Sequence, residues 1–165
     1  AWIDSGLNVM DAENELSLPA SSFENQRKVH FYCFIHFAAN LAALGERNSD
    51  LGEKLASVPP HPDILFASTP QGVPAATLDG KQLCSRHRPI EEAQRQVDDI
   101  DLVKHAVVVV IGFGLGYHVQ KLAERSAKAT LIIVFESDLS MLRSVLEQID
   151  HSAWMKNALL IFITD

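Results

Sequence analysis

The sequence predicts an α/β protein whose second half is a parallel β-sheet. The run Val107–Ile111 is apolar without polar alternation, which is typical of a strand buried on both faces of such a sheet. Gly112, Gly114 and Gly116 follow it directly, and a second apolar run ends at Glu136. This order of strand, glycine turn, helix and strand predicts a partial Rossmann-like βαβαβ sheet, preceded by an N-terminal helical region and a small β-hairpin region.

Residues 1–60 are predicted to form the helical region. Ser21 and Glu24 make a capping-box pattern before a helix that we expect to run to about Glu46. A shorter helix is expected to begin at Asp50 and to end before Pro59. The apolar face of the long helix is expected to contain Phe23, Val29, Phe34, Phe37, Ala38, Leu41 and Leu44.

Residues 61–88 are predicted to form the hairpin region. Two apolar segments, 63–69 and 73–78, have strand character, and Asp79–Gly80 follows the second. This dipeptide is a strong hairpin signal into 81–84, because a type I′ turn needs positive φ at both central residues.

Residues 89–165 are predicted to form the first half of a Rossmann-like domain, truncated after its third strand. Pro89 opens a helix with Glu91 and Glu92 in its first turn, where the helix dipole favours negative charge. Right-handed crossovers make the following segments half of a doubly wound sheet. Strands are expected at 107–111, 130–135 and 158–163, with helices at about 116–126 and 138–149.

Composition narrows the class of function. The 165 residues carry a formal net charge of −7, which argues against a general nucleic-acid or anionic-membrane surface. No apolar stretch approaches the roughly 20 residues of a membrane-spanning helix. Cys33 and Cys84 lack the spacing of a zinc site or a disulfide framework, so no metal site is assigned. We expect a cytoplasmic protein without nucleic-acid or membrane partners, and the long apolar helix is compatible with a homo-oligomer.

The glycine-rich turn is the candidate nucleotide-binding site. Gly112, Gly114 and Gly116 expose backbone N–H groups at a helix start, where amides and dipole both favour an anion. Glu136 ends the next strand 24 residues after Gly112, where nucleoside sites place an acid against ribose hydroxyls. The alternative interpretation is purely structural: a tight turn whose glycines only permit close helix–strand packing. Tyr117 and His118 complete the candidate set at the mouth of the pocket.

The spacing fits neither of the two common glycine motifs. The dinucleotide fingerprint needs a third small residue for helix–strand contact, and Tyr117 stands there. Methyltransferases that use S-adenosylmethionine usually carry an acid two residues before the first glycine, and this chain has Val110. The pattern therefore favours a less common nucleotide-binding branch.

A second polar cluster lies between the hairpin and the next helix. Ser85, Arg86 and Arg88 are candidate phosphate or substrate ligands, because a guanidinium suits bidentate recognition of phosphate or carboxylate. A solvated polar connector is the alternative interpretation.

Together these motifs resemble the motility accessory factor (Maf-type) family of flagellin glycosyltransferases over roughly residues 36–165. The core is also similar to that of the archaeal hydroxymethyl-dihydropterin pyrophosphokinases. One departure is Arg86-His87-Arg88, where the family often has a triplet such as Lys-Tyr-Asp before the proline. The matching pieces are Ser85, Pro89, Glu92–Ala93, Asn40–Leu44, Leu51–Leu55, Gly112–His118 and Phe135–Asp138.

The resemblance implies the N-terminal part of a flagellin-modifying glycosyltransferase, which moves a nonulosonic sugar from its CMP-activated form to flagellin Ser or Thr. It places residues 112–118 on a nucleotide-facing loop, Glu136 beside the ribose, and Ser85 and Arg86 toward phosphate or sugar. The implied ligand is a CMP-linked sugar, compatible with Mg²⁺ and with no covalently bound cofactor, and the implied partner is flagellin. No catalytic residue is assigned, and this piece alone is expected to be inactive.

Two other functions remain open at this point. One is a small-molecule enzyme, either a pterin pyrophosphokinase or a methyltransferase that uses S-adenosylmethionine. The other is a non-catalytic module that interacts with flagellin.

Overall fold

A computed structural model of the protein describes residues 33–102, 104–126 and 130–164. Helix α1 occupies residues 33–44 of this part, and a 3₁₀ turn follows at Glu46–Asn48. The Ser21–Glu24 capping box lies outside the described residues. The other elements are α2 (Ser49–Ser57), β1 (Ile64–Ser68), β2 (Pro74–Leu78), β3 (Lys81–Gln82), α3 (Pro89–Asp98), β4 (Val107–Ile111), α4 (Tyr117–Arg125), β5 (Leu131–Phe135), α5 (Leu139–Gln148), α6 (Ser152–Met155) and β6 (Leu160–Ile163).

The second half of the chain forms the parallel sheet. Its strands lie in the order β4-β5-β6, and Val109 pairs with Ile133, which pairs with Ile161. Helices α4 and α5 connect consecutive strands, so the predicted α/β class and the Rossmann-like βαβαβ unit are confirmed.

Among the described residues, helices cover only one face of the parallel sheet. This corrects the expectation that β4 is buried on both faces. Ile132 and Val134 are fully buried, whereas Val109 is 54% and Ile111 81% exposed. Both crossovers advance in the same direction across the sheet. Right-handed crossovers of that kind place their helices on the same face.

The hairpin region forms an antiparallel sheet in the order β1-β2-β3. Asp79 and Gly80 have φ of 48° and 74°, the positive values that the predicted type I′ turn requires. The third strand is shorter than expected, although the Leu83 N–H still donates to the carbonyl of Ala76 at 2.9 Å. This extension carries the chain from the hairpin toward the glycine turn. The domain boundaries at 60/61 and 88/89 remain a prediction.

Helix α1 buries only part of the face that was expected. Phe34 is 71% exposed and Ala38 is also exposed, while Leu44 is buried and Phe37 and Leu41 pack against the core. The two remaining predicted positions, Phe23 and Val29, lie outside the described residues.

Asn40 is the polar centre of the buried face of α1. Its Nδ2 donates to the carbonyls of Leu146 and Ile149, both at 2.8 Å, and its Oδ1 accepts the N–H of His151 at 2.8 Å. The side chain thus satisfies backbone groups where α5 ends and α6 begins. It fixes the segment that lies beneath the glycine turn.

Candidate functional site

The glycine loop, residues 112–116, joins the carboxyl end of β4 to α4. Its three glycines have φ of 84°, 50° and 78°, in the region that residues with a Cβ rarely adopt. Gly116 is also sterically required, because a Cβ there would lie 2.6 Å from Phe113 Cζ and 2.9 Å from His151 Cε1. The sequence pattern therefore encodes one particular loop conformation.

Three of the loop amides are used to hold that conformation. The Gly112 N–H donates to the carbonyl of Phe135 at 2.8 Å and extends the parallel ladder by one bond. The Phe113 N–H donates to Glu136 Oε2 at 2.8 Å, and the Gly116 N–H closes a turn onto the Phe113 carbonyl. These bonds fix the loop from below.

The two amides at the tip of the loop are not used in this way. Within the described part of the chain, the N–H groups of Gly114 and Leu115 donate to no protein acceptor. Both residues line an open cavity next to the N-terminus of α4. Two unpaired amides at a helix start form a favourable site for an anionic group.

The cavity has a volume of about 350 Å³, which lies within the usual range for small-molecule pockets. One side is the glycine loop with the first residues of α4. The other side comes from the end of the hairpin region and the first turns of α3. The lining residues are Leu83, Cys84, Pro89, Glu92, Ala93, Gln96, Ile111, Gly112, Gly114, Leu115, Tyr117 and His118.

His118 faces this cavity as a neutral imidazole. Its Nε2 lies 3.3 Å from the carbonyl of Gly112, and because a carbonyl only accepts, Nε2 carries the hydrogen. Burial lowers the pKa of the ring below its ordinary value. His118 therefore offers hydrogen bonding at neutral pH, without a positive charge.

Tyr117 connects the glycine loop to the hairpin region. Its ring is buried, and its hydroxyl donates to the carbonyl of Pro74 in β2 at 2.8 Å. Burial raises the pKa of the phenol above its ordinary value, so the group remains a donor. The bulky residue that departs from the dinucleotide fingerprint thus attaches the hairpin wall to the loop.

Glu136 lies beneath the loop and is only 6% exposed. Its Oε2 accepts the N–H of Phe113, and its Oε1 accepts the N–H of Asp138 at 2.9 Å. The carboxylate therefore braces the glycine loop against the start of α5, where Asp138 Oδ1 caps the helix by accepting the Met141 N–H. The expected contact with ribose remains a prediction, since Glu136 does not line the cavity.

The structure does not bring the predicted arginines to the glycine loop. Arg88 pairs with Glu91 at 3.1 Å on the surface, with both side chains more than half exposed. Arg86 lines a separate cavity of about 280 Å³ along β1 and β2. Their role in phosphate binding stays a prediction that the glycine-loop cavity does not support.

Ser85 serves the local backbone. Its Oγ accepts the N–H groups of His87 and Arg88, at 3.3 and 3.1 Å, in a turn that leads into α3. Its own N–H donates to Glu92 Oε2 at 2.6 Å. The serine shapes the wall of the cavity, and its hydroxyl does not line it.

Glu92 and Cys84 are chemically versatile residues to which the sequence motifs assigned no binding role. The Cys84 thiol is half-buried, and burial raises its pKa, which keeps it protonated. Glu92 supplies the charged group of this wall, because the described lining contains no Lys or Arg. In the sequence, the helix dipole already explained an acid at position 92, because Glu92 lies in the first turn of a helix. Its position in the cavity wall becomes visible only in the fold.

Two further observations concern metal binding and membrane spans among the described residues. No group of three His, Cys, Asp or Glu side chains in this part of the chain is arranged to hold a metal ion. None of the described helices is both long and apolar enough to span a membrane.

The loop, the parallel strands and the cavity at their carboxyl ends define a Rossmann-like α/β protein with a glycine-loop pocket. Comparison with protein families then gives the family, since residues 85–159 match the glycosyltransferase Maf N-terminal domain. Residues 85–159 are therefore similar to the N-terminal domain of Maf glycosyltransferases, as the resemblance drawn from the sequence predicted.

Two individual proteins are similar to this chain. An uncharacterized protein of Treponema pallidum (strain Nichols) is 30% identical over 127 residues, which cover 70% of this chain and 42% of that protein. The structure of MAf glycosyltransferase from Magnetospirillum magneticum AMB-1 shares the fold, with a TM-score of 0.55 and 17% identity over 79% of this chain. This chain corresponds to 27% of that larger protein.

Proposed function

We propose that this chain forms part of the donor site of a flagellin-modifying glycosyltransferase, and that its glycine-loop cavity binds a CMP-linked nonulosonic acid. The observation that carries the proposal is the pair of unpaired amides at Gly114 and Leu115, two residues that line a cavity of about 350 Å³. The amides and the α4 dipole would receive the phosphate oxygens. The match of residues 85–159 to the glycosyltransferase Maf N-terminal domain supports the sugar-transfer class.

The charge of the cavity favours a ligand with a single phosphate. No Lys or Arg lines it within the described residues, and Glu92 adds a negative charge. The phosphodiester group of a CMP-linked nonulosonic acid carries one negative charge, separate from the carboxylate of the sugar, and two amides with a helix dipole of about half a charge can match it. Triphosphates are normally held by a Lys and a divalent cation as well. The cavity therefore favours a CMP-sugar over the ATP of a pyrophosphokinase.

The position of Glu136 argues against the methyltransferase alternative. That alternative assigns the acid after the second strand to the ribose diol. Here both oxygens of Glu136 already accept backbone N–H groups. A methyltransferase ligand would have to share a carboxylate that the loop itself requires.

The remaining parts of the proposal concern the larger protein. Sugar transfer to Ser or Thr, recognition of flagellin, any use of Mg²⁺ and a cytoplasmic location are proposed from the family alone. A mass measurement on flagellin tests them: disruption of the gene should remove the nonulosonic acid from flagellin, and an unchanged glycan mass would contradict the proposal.

Thermal unfolding tests the binding site directly. The chain is heated with saturating CMP, CMP-sugar, ATP with Mg²⁺, or S-adenosylmethionine. A ligand at 100 times its Kd stabilises by about 2.7 kcal/mol, which should raise Tm by roughly 5–10 °C. We expect this shift with the cytidine ligands only. A shift with ATP or S-adenosylmethionine instead would favour the corresponding alternative.

Two glycine variants make the test specific to the cavity. Gly114→Val adds a branched side chain at the tip of the loop and should abolish the shift. Gly72→Val is the control, because Gly72 has a similarly positive φ of 75° but lies in the hairpin region, away from this cavity. Loss of the shift in both variants would point to a general effect on folding.

A further inference from the structure

We infer that Glu92 is the specificity-determining acid of the glycine-loop cavity: it accepts a hydrogen bond from a neutral donor on the nucleoside part of the ligand. The inference rests on the proposed function and gives Glu92 a role that neither the motifs nor the family match assigns to it. It moves the acid that recognises the nucleoside from Glu136, at the end of β5, to the first turn of α3.

The position of the Glu92 carboxylate is fixed by its surroundings. Pro89 starts α3, and the Ser85 N–H donates to Glu92 Oε2 at 2.6 Å. The turn that carries this N–H is in turn held by Ser85 Oγ, which accepts two further backbone N–H groups. One carboxylate oxygen is thereby fixed at the cavity wall before any ligand binds.

The second oxygen remains available. Within the described residues, Glu92 Oε1 accepts no hydrogen bond, and no Lys or Arg lines the same cavity. A carboxylate has only acceptor sites, so its favourable partners are hydroxyl or amino hydrogens. A second anion placed against it would be repelled.

The opposite wall has the complementary character. The N–H groups of Gly114 and Leu115 are donors and require an acceptor or an anion. A ligand that satisfies both walls carries an anionic group at one end and hydrogen-bond donors at the other. A nucleoside monophosphate has this polarity, whereas free pyrophosphate is anionic at both ends.

Glu136 is not placed to fill this role. Its two oxygens accept the N–H groups of Phe113 and Asp138, and it lies outside the cavity lining. Glu92 is the acid that both lines the cavity and retains an unpaired oxygen in the described part of the chain.

The donor on the ligand has two chemical sources, the ribose 2′-hydroxyl or the exocyclic amino group of cytosine. Isothermal titration with CMP, 2′-deoxy-CMP and UMP separates them. The nucleotide that lacks the donor used by Glu92 should bind more weakly to the unaltered chain. It should also be the one whose affinity is insensitive to substitution of Glu92.

Glu92→Gln is the main variant. Its amide oxygen can still accept the Ser85 N–H, while its NH₂ group replaces the free acceptor by a donor. We expect the affinity for CMP to fall about 10- to 100-fold, as for loss of a hydrogen bond to a charged group. Glu91→Gln is the matched control, because Glu91 is the neighbouring acid of the same turn and faces Arg88 on the surface.

The outcomes distinguish failure of the inference about Glu92 from failure of the proposed CMP-sugar binding. If the unaltered chain binds none of the three nucleotides, the proposed function and the inference both fail. If CMP binds and Glu92→Gln matches Glu91→Gln, the function stands and the inference is overturned. Should Glu92→Gln unfold, Glu92→Asp keeps the charge but withdraws the oxygens by one methylene, and undiminished CMP affinity in that variant would also overturn it.

Discussion

The sequence predicted phosphate binding by two loops of this protein. In the structure only one of the two loops lines the cavity at the end of the parallel sheet. The glycine loop 112–116 presents backbone amides to a cavity at the end of a parallel strand. The loop 85–88 carries two arginines, yet one forms a surface ion pair and the other lies in a separate cavity along the hairpin.

The difference comes from what fixes each group in space. The amides of the glycine loop are placed by β4 below and α4 above, so their direction follows from the fold. An arginine side chain is long and finds a partner nearby, as Arg88 does with Glu91 three residues later. Backbone donors are therefore more predictable functional groups here than charged side chains.

Substitution of Gly116 should break the glycine loop most severely. In Gly116→Ala the new Cβ would lie 2.6 Å from Phe113 Cζ, and neither the Phe113 ring nor the His151 ring can withdraw from its buried position. Overpacking together with positive φ should lower the free energy of unfolding by about 2–5 kcal/mol. Urea denaturation measures this loss.

A second glycine gives the control for that substitution. Gly52 lies inside α2 with open space around its Cα, so Gly52→Ala should raise the free energy of unfolding by about 0.5–1 kcal/mol. Equal effects in the two variants would show that the close approach at Gly116 is absent in solution.

His151, beneath the loop, should make stability depend on pH. Its Nδ1 accepts the Trp154 indole N–H at 3.0 Å, and burial lowers its pKa from 6.5 to about 4. Between those values the unfolded chain binds more protons than the folded one, so stability is full above pH 6.5 and falls as the pH drops toward 4. The loss should reach about 3 kcal/mol.

Variants isolate this contribution from that of the carboxylates. The difference in unfolding free energy between pH 7 and pH 4 should be smaller in His151→Gln than in the unaltered chain. His87→Gln alters an exposed imidazole and should leave the difference unchanged. An unchanged difference in His151→Gln would mean that the ring is not buried as described.

Glu136→Gln separates a brace from a ribose ligand. The glutamine keeps one acceptor oxygen but turns an NH₂ group toward the N–H of Phe113 or Asp138, which leaves a buried donor unpaired. We expect unfolding to become easier by about 1–3 kcal/mol. A variant of unaltered stability that binds CMP weakly would instead support the ribose contact predicted from the sequence.

The parallel sheet was predictable because its signals are local. The β-branched run forms β4 at Val107–Ile111, as expected. The glycines that follow it have positive φ values, which glycine adopts more readily than other residues. The Asp79–Gly80 turn is equally local. In each case neighbouring residues determine the conformation, so no knowledge of distant contacts is needed.

The features that the sequence did not predict depend on distant residues. Asn40 binds the carbonyl of Leu146, 106 positions further along the chain. Glu136 has the spacing of a ribose ligand, but its two oxygens accept the backbone N–H groups of Phe113 and Asp138. The Glu92 side chain enters the site only because α3 packs beside α4. Such partners become visible only when the elements are assembled.

The smallest effect is expected at the loop 85–88, where Arg88→Ala tests the arginine half of the comparison. The ion pair with Glu91 is exposed at both ends, so unfolding should change by no more than about 0.5 kcal/mol. Because Arg88 does not line the glycine-loop cavity, the affinity for CMP should stay within twofold in isothermal titration. A tenfold loss of affinity with intact stability would show that the guanidinium leaves Glu91 and reaches the phosphate, and the contrast between backbone and side-chain donors would then no longer hold.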